Sequence, residues 1–92
     1  QIRSKIEDDT RAELNDNQMN FLSELAEQFC EINWSDEEIS TTIRTTAAKS
    51  GISGRESYTA LYLAMLGRKH GPKASALILE IGRKDAVDLL SS

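Results

Sequence analysis

Apolar positions recur at intervals of three and four along most of this chain, the spacing that lines one face of an α-helix. Met19, Leu22, Leu25, Ala26, Phe29 and Ile32 form the first stripe, with Glu24, Glu27 and Glu31 on the other side. This predicts an amphipathic helix from about Asn15. Trp34 and Ser35 break the pattern. Ser35-Asp36-Glu37-Glu38 then reads as a capping box, a hydroxyl at the N-cap with a carboxylate three residues on. Ile39, Ile43 and Ala47 follow at steps of four, and Gly51 stands where a left-handed residue ends a helix. Ser53-Gly54-Arg55-Glu56 repeats the box. It opens a helix with apolar positions Tyr58, Leu61, Tyr62, Met65 and Leu66, ended by Gly67. That helix is apolar nearly all round from Ala60, which predicts a central position. Gly71-Pro72 reads as the start of the next helix, with Pro72 at the first helical position, where no N–H is needed. Its stripe is Ala74, Leu77, Ile78 and Ile81, and Gly82 ends it. A last short helix runs from about Lys84 to Leu90 through Ala86 and Val87.

The expected fold is therefore all-α, a compact helical bundle or cage of four to five short helices over residues 15–92. Ile39, Ile43, Leu61, Met65, Leu77 and Ile78 are expected in one core. Residues 1–14 are charged, with Ile2, Ile6 and Leu14 as isolated apolar positions. They read as a linker or connecting helix to an upstream domain.

Composition sharpens this picture. Ten Leu and nine Ala against one Val favour helix over strand. With 92 residues the chain suits one small domain and is too short for a large catalytic one. The longest unbroken apolar run, Ala60 to Leu66, is 7 residues, against about 20 needed to span a bilayer. No membrane partner is expected, and no secretory leader is visible. The first residue, Gln1, fits a piece of a longer chain. Cys30 is the single cysteine, so no disulfide within the chain and no Cys-based zinc site is expected. It reads as a half-buried, unreactive residue, and a reducing, cytoplasmic location follows as the default.

Charge is unevenly divided. Residues 1–40 carry three basic and eleven acidic groups, whereas residues 41–92 carry eight basic and four acidic ones. The overall net charge of −4 thus conceals a basic half able to attract phosphate locally. Neither catalytic nor metal-ligating motifs are present, and Asp8-Asp9 and Glu37-Glu38 read as solvated or helix-starting charges. The segment Gly67-Arg68-Lys69-His70-Gly71-Pro72-Lys73-Ala74 is different. It gathers three cations and an imidazole in a glycine-bracketed loop that leads into a helix N-terminus, where free N–H groups and the helix dipole also favour an anion. The alternative reading of this cluster is a solubilising surface loop. Tyr62, on the helix just before it, reads first as a core tyrosine and alternatively as a ring able to stack on an exposed base.

The stretch Ala60-Leu61-Tyr62-Leu63-Ala64-Met65-Leu66-Gly67, followed by polar residues, Gly71-Pro72 and a Leu/Ile-rich helix, resembles the C-terminal anticodon-binding domain of class I lysyl-tRNA synthetases. Trp34-Ser35-Asp36-Glu37-Glu38-Ile39 is similar to that family's helix start. Ile81-Gly82-Arg83-Lys84 resembles a segment of the related glutamyl-tRNA synthetase domain. The similarity covers about residues 16–90 and departs at Ala74-Ser75, where the family often has a bulky apolar residue. The resemblance implies a domain that grips the tRNA anticodon loop while a separate upstream domain binds ATP and attaches lysine. The fragment itself then has no cofactor and no catalytic residue. Tyr62, Arg68, Lys69, His70, Gly71, Pro72, Lys73 and Ala74 are the implied tRNA-binding positions. Two alternatives stay open. One is the anticodon-binding domain of a glutamyl-tRNA synthetase, and the other is a helical protein-interaction module that docks through its acidic first helix.

Overall fold

In the computed structural model, which describes residues 1–92, six α-helices and no strands carry the chain. They are α1 (Asp8–Arg11), α2 (Asp16–Phe29), α3 (Asp36–Lys49), α4 (Gly54–Leu66), α5 (Ala74–Ile81) and α6 (Arg83–Leu90). None is long and apolar enough to cross a membrane. The five longer helices follow the periodicity of the sequence, and α1 adds a single turn within residues 1–14.

Side-chain caps start three of these helices. Asn15 and Gln18 close a reciprocal box at α2, with Gln18 N donating to Asn15 Oδ1 at 2.8 Å and Asn15 N to Gln18 Oε1 at 3.0 Å. Ser53 and Glu56 close the expected box at α4. At α3 only half the box forms. Ser35 Oγ accepts from Glu38 N at 3.2 Å, but the Glu38 carboxylate gives nothing back. The Ser35 N–H is already donated to Asn33 O at 3.1 Å within the turn, which leaves the carboxylate no donor to reach.

The core is built around α4, which packs against α2, α3, α5 and α6. Ala60, Leu61, Leu63, Ala64 and Met65 are all buried, as the nearly all-round apolar pattern predicts. Phe21, Leu22, Leu25 and Phe29 of α2, Ile39 and Ile43 of α3, and Ile78 of α5 complete it. Leu77 sits half-buried on its edge.

Several faces differ from the simple stripe. Phe21 is fully buried and Met19 only half-buried, so the inward face of α2 is wider than the i, i+3, i+4 count suggests. Tyr58 is 38% exposed because the first turn of α4 turns Ser57 inward, bonded through its hydroxyl to Gly54 O. In α6 Leu89 is buried and Val87 half-buried. Cys30 is the C-cap of α2 and exposed. Pro72 is not the first helical residue. Lys73 keeps an extended ψ of 121°, and the ladder of α5 opens with Leu77 N donating to Lys73 O. The Pro72 carbonyl is instead occupied by the Tyr62 hydroxyl.

Residues 1–14 lie against the same body. Ile6 and Thr10 are buried, Arg3 N donates to Met65 O at 2.7 Å, and Thr10 Oγ1 donates to Leu63 O at 3.2 Å. The chain ends meet where Ile6 N donates to Ser92 Oγ and Arg11 to Ser92 O.

Leu61 has no exposed surface and is central in α4. Leu61→Ala is expected to destabilise the chain by about 2–5 kcal/mol in chemical denaturation, through lost burial and the cavity left behind. A change near zero would contradict the assigned inward face.

Candidate nucleic-acid interface

Helix α4 leaves the core at Gly67, whose φ of +75° is the left-handed conformation that favours glycine. The irregular segment 67–73 then carries the basic cluster to α5. Tyr62, half-buried on the last turns of α4, holds this loop down. Its hydroxyl donates to Pro72 O at 2.7 Å, and its ring lies beside the Gly71 backbone. A Cβ on Gly71 would lie 2.7 Å from Leu66 Cδ1, so a larger residue there would need the Leu66 side chain to shift.

Arg68, Lys69, His70 and Lys73 are exposed, as are Gly71 and Pro72. Arg68 Nε donates to His70 O at 3.1 Å, which folds the loop upon itself. Ala74 is 1% exposed and belongs to the core, so its methyl group faces away from solvent. Beside the loop lies an open groove lined by Ile2, Leu66, Leu77 and Ile81 together with Gln1, Arg68, Pro72 and Glu80.

Lys73 is not a free cation. Its ammonium lies 3.0 Å from Asp36 Oδ2 at the first turn of α3, a pair 37 residues apart in sequence. The neighbouring Ser75 hydroxyl, and next the Lys73 ammonium, hold the Asp36 carboxyl below the usual aspartate range. Ser75 Oγ is buried beside it and makes no hydrogen bond of full bonding geometry. This junction was not apparent from the sequence. It joins the Trp34–Glu38 segment to the Gly-Pro loop.

A second junction lies at the other end of α5. Trp34 meets Phe29 edge-on, with ring centroids 5.4 Å apart, and donates through Nε1 to Leu79 O at 3.3 Å. The Arg83 guanidinium covers the Trp34 ring at 5.1 Å and donates to Phe29 O. The corner between α2 and α3 is thereby fastened to the corner between α5 and α6. Chemically, the surface around residues 67–73 offers exposed guanidinium and ammonium groups, an imidazole and a half-buried tyrosine, a set suited to phosphate and base contacts.

The family described as an anticodon binding domain matches residues 3–90. A lysine–tRNA ligase of Picrophilus torridus is 25% identical over 84 residues, covering 91% of this chain and 17% of that protein. The same figures hold for a lysine–tRNA ligase of Thermoplasma volcanium. A glutamate–tRNA ligase 1 of Rhizorhabdus wittichii is 31% identical over 70 residues, covering 76% of this chain and 16% of that protein. The chain thus spans about one sixth of the length of these relatives.

The Asp36 junction can be followed directly by NMR titration of its carboxyl carbon. Because the folded pKa is lowered, the linked stability is complete above the ordinary aspartate range and is lost as pH falls through the folded value. Ser75→Ala and Lys73→Ala are each expected to raise the Asp36 midpoint toward its ordinary value. Unmoved midpoints in both variants would contradict the junction.

Proposed function

Because the chain belongs to the anticodon-binding domain family of aminoacyl-tRNA synthetases, we propose that it reads the anticodon loop of a lysine tRNA as part of a class I lysyl-tRNA synthetase. Lysine attachment is the work of an upstream catalytic domain that binds ATP, and residues 1–14 lead from that domain into this one. The reading makes the protein a cytoplasmic component of protein synthesis and gives this chain no catalytic residue.

The observation that carries the RNA-binding part is the exposed loop of Arg68, Lys69 and His70, braced by Tyr62. Exposed cations there neutralise backbone phosphates and fix the RNA in register, while Tyr62 and nearby backbone groups meet splayed bases. Coverage of 91% of the chain by two lysine–tRNA ligases supports lysine. The higher identity to a glutamate–tRNA ligase, 31%, favours the second reading, a glutamyl enzyme. A protein-interaction module docking through α2 leaves the basic loop unused, and the family match supports RNA instead.

Titration with anticodon stem-loops across a range of salt tests these statements. The lysine stem-loop is expected to bind more tightly than the glutamate one, and the reverse order favours the glutamyl reading. Phosphate contacts release counterions, so log affinity falls linearly with log salt, and each lost contact to single-stranded RNA flattens the slope by about 0.7. Replacing Arg68 and Lys69 together with Ala should flatten the slope and weaken both stem-loops alike. An unchanged slope would contradict phosphate binding by the loop.

Tyr62→Ala is expected to cost about 1–3 kcal/mol of binding and to change anticodon preference, with little effect on the salt slope. Tyr62→Phe keeps the ring and removes only the bond to Pro72, so it should retain the preference. Equal losses for all anticodons in Tyr62→Ala would make the residue a brace alone.

A further inference from the structure

The C-terminal end of α4 is completed by residues far away in sequence. Helix ends leave carbonyls without intrahelical partners. Here the Arg3 N–H reaches one of them, Met65 O, at 2.7 Å, while Thr10 Oγ1 adds a second bond, at 3.2 Å, to Leu63 O, which already accepts from Gly67 N. The Arg3 side chain continues over Gly67, so that a Cβ at that position would collide with the guanidinium. On its other side the guanidinium is held by α1, with Nη1 donating to Thr10 Oγ1 at 3.1 Å and lying 3.4 Å from Asp9 Oδ1. Asp9 Oδ1 in turn accepts from Thr10 N at 2.7 Å. A cation so placed also suits the negative end of the helix dipole.

From this arrangement we infer that Arg3 is a positioning residue for the basic loop. Its planar guanidinium fixes Gly67 from above while its own backbone closes the last turn of α4. Arg68, the first cation of the loop, follows Gly67 directly, so the direction in which the loop leaves the helix is set at this point. Ordering a loop costs conformational entropy on binding, and a loop ordered beforehand avoids part of that cost. The inference rests on the proposed RNA-reading role of the loop. It assigns Arg3 an effect through Gly67, without a contact to RNA.

Two measurements on the full chain test it. In amide hydrogen exchange, Arg3→Ala should speed exchange of the amides of residues 66–71 and leave α2 and α3 unchanged. In stem-loop titration the same variant should lose about three- to tenfold in affinity, the scale of reordering one or two side chains, at an unchanged salt slope. Arg3→Lys keeps the charge and the backbone bond but lacks the planar group. It should fold even if Arg3→Ala does not, and should show the same loop-confined change. Wild-type loop protection in Arg3→Lys, or a flatter salt slope in either variant, overturns the inference, the latter by making Arg3 a phosphate contact. Unchanged exchange with RNA binding intact overturns the role of Arg3 alone. Absence of stem-loop binding by the unaltered chain overturns both this inference and the reading on which it rests.

Discussion

Burial of α4 on nearly all sides is the constraint on which the rest of the structure depends. A helix whose Ala60, Leu61, Leu63, Ala64 and Met65 are all buried must be surrounded, and four other helices surround it. Both of its ends are then fixed by elements outside it. At the start, the Ser53–Glu56 box and the Gln18 side chain, which donates to Glu56 O at 3.0 Å, tie it to α2. At the finish, Arg3 N takes up the open Met65 carbonyl and Thr10 adds a second bond to Leu63 O beside the Gly67 N–H. A loop rooted in such a helix starts from a fixed point, although residues 68–73 are themselves exposed.

The short segments that resemble the synthetase family converge in space for structural reasons. The Arg83 guanidinium lies over the Trp34 ring, and both residues contact the Phe29 end of α2. Two residues after Trp34, Asp36 reaches Lys73 beside Pro72. Helix α5 is thus held near both ends against the start of α3. These contacts give the Trp, Gly-Pro and Gly-Arg segments a shared task in shaping the surface, separate from any contact with RNA. Lys73 shows the consequence most clearly, since its charge is committed in part to Asp36 while Arg68 and Lys69 form no salt bridge.

Helix identity and order were legible because period and caps agree along the chain. Ser53 and Glu56 announce α4, and the apolar run from Ala60 announces its burial. Finer placement was less legible. Phe21 and Leu89 are buried by the breadth of their helix faces, which a single stripe understates. Pro72 precedes α5 because Lys73 keeps an extended ψ of 121°, and the Pro72 carbonyl meets the Tyr62 hydroxyl instead. The basic loop could be seen as a charge cluster, but not its supports. Arg3 at Gly67 and Asp36 at Lys73 are contacts over 64 and 37 residues of sequence, and no local pattern encodes them.

The central claim is that a rigid α4 presents the segment 67–73 to RNA. Mapping amide chemical shifts while a lysine-tRNA anticodon stem-loop is added tests it most directly. The account predicts saturable shifts centred on Gly67–Gly71, Lys73, Tyr62 and Asp36, with the acidic residues of α2 unmoved. Shifts confined to α2, or none that saturate, would contradict it.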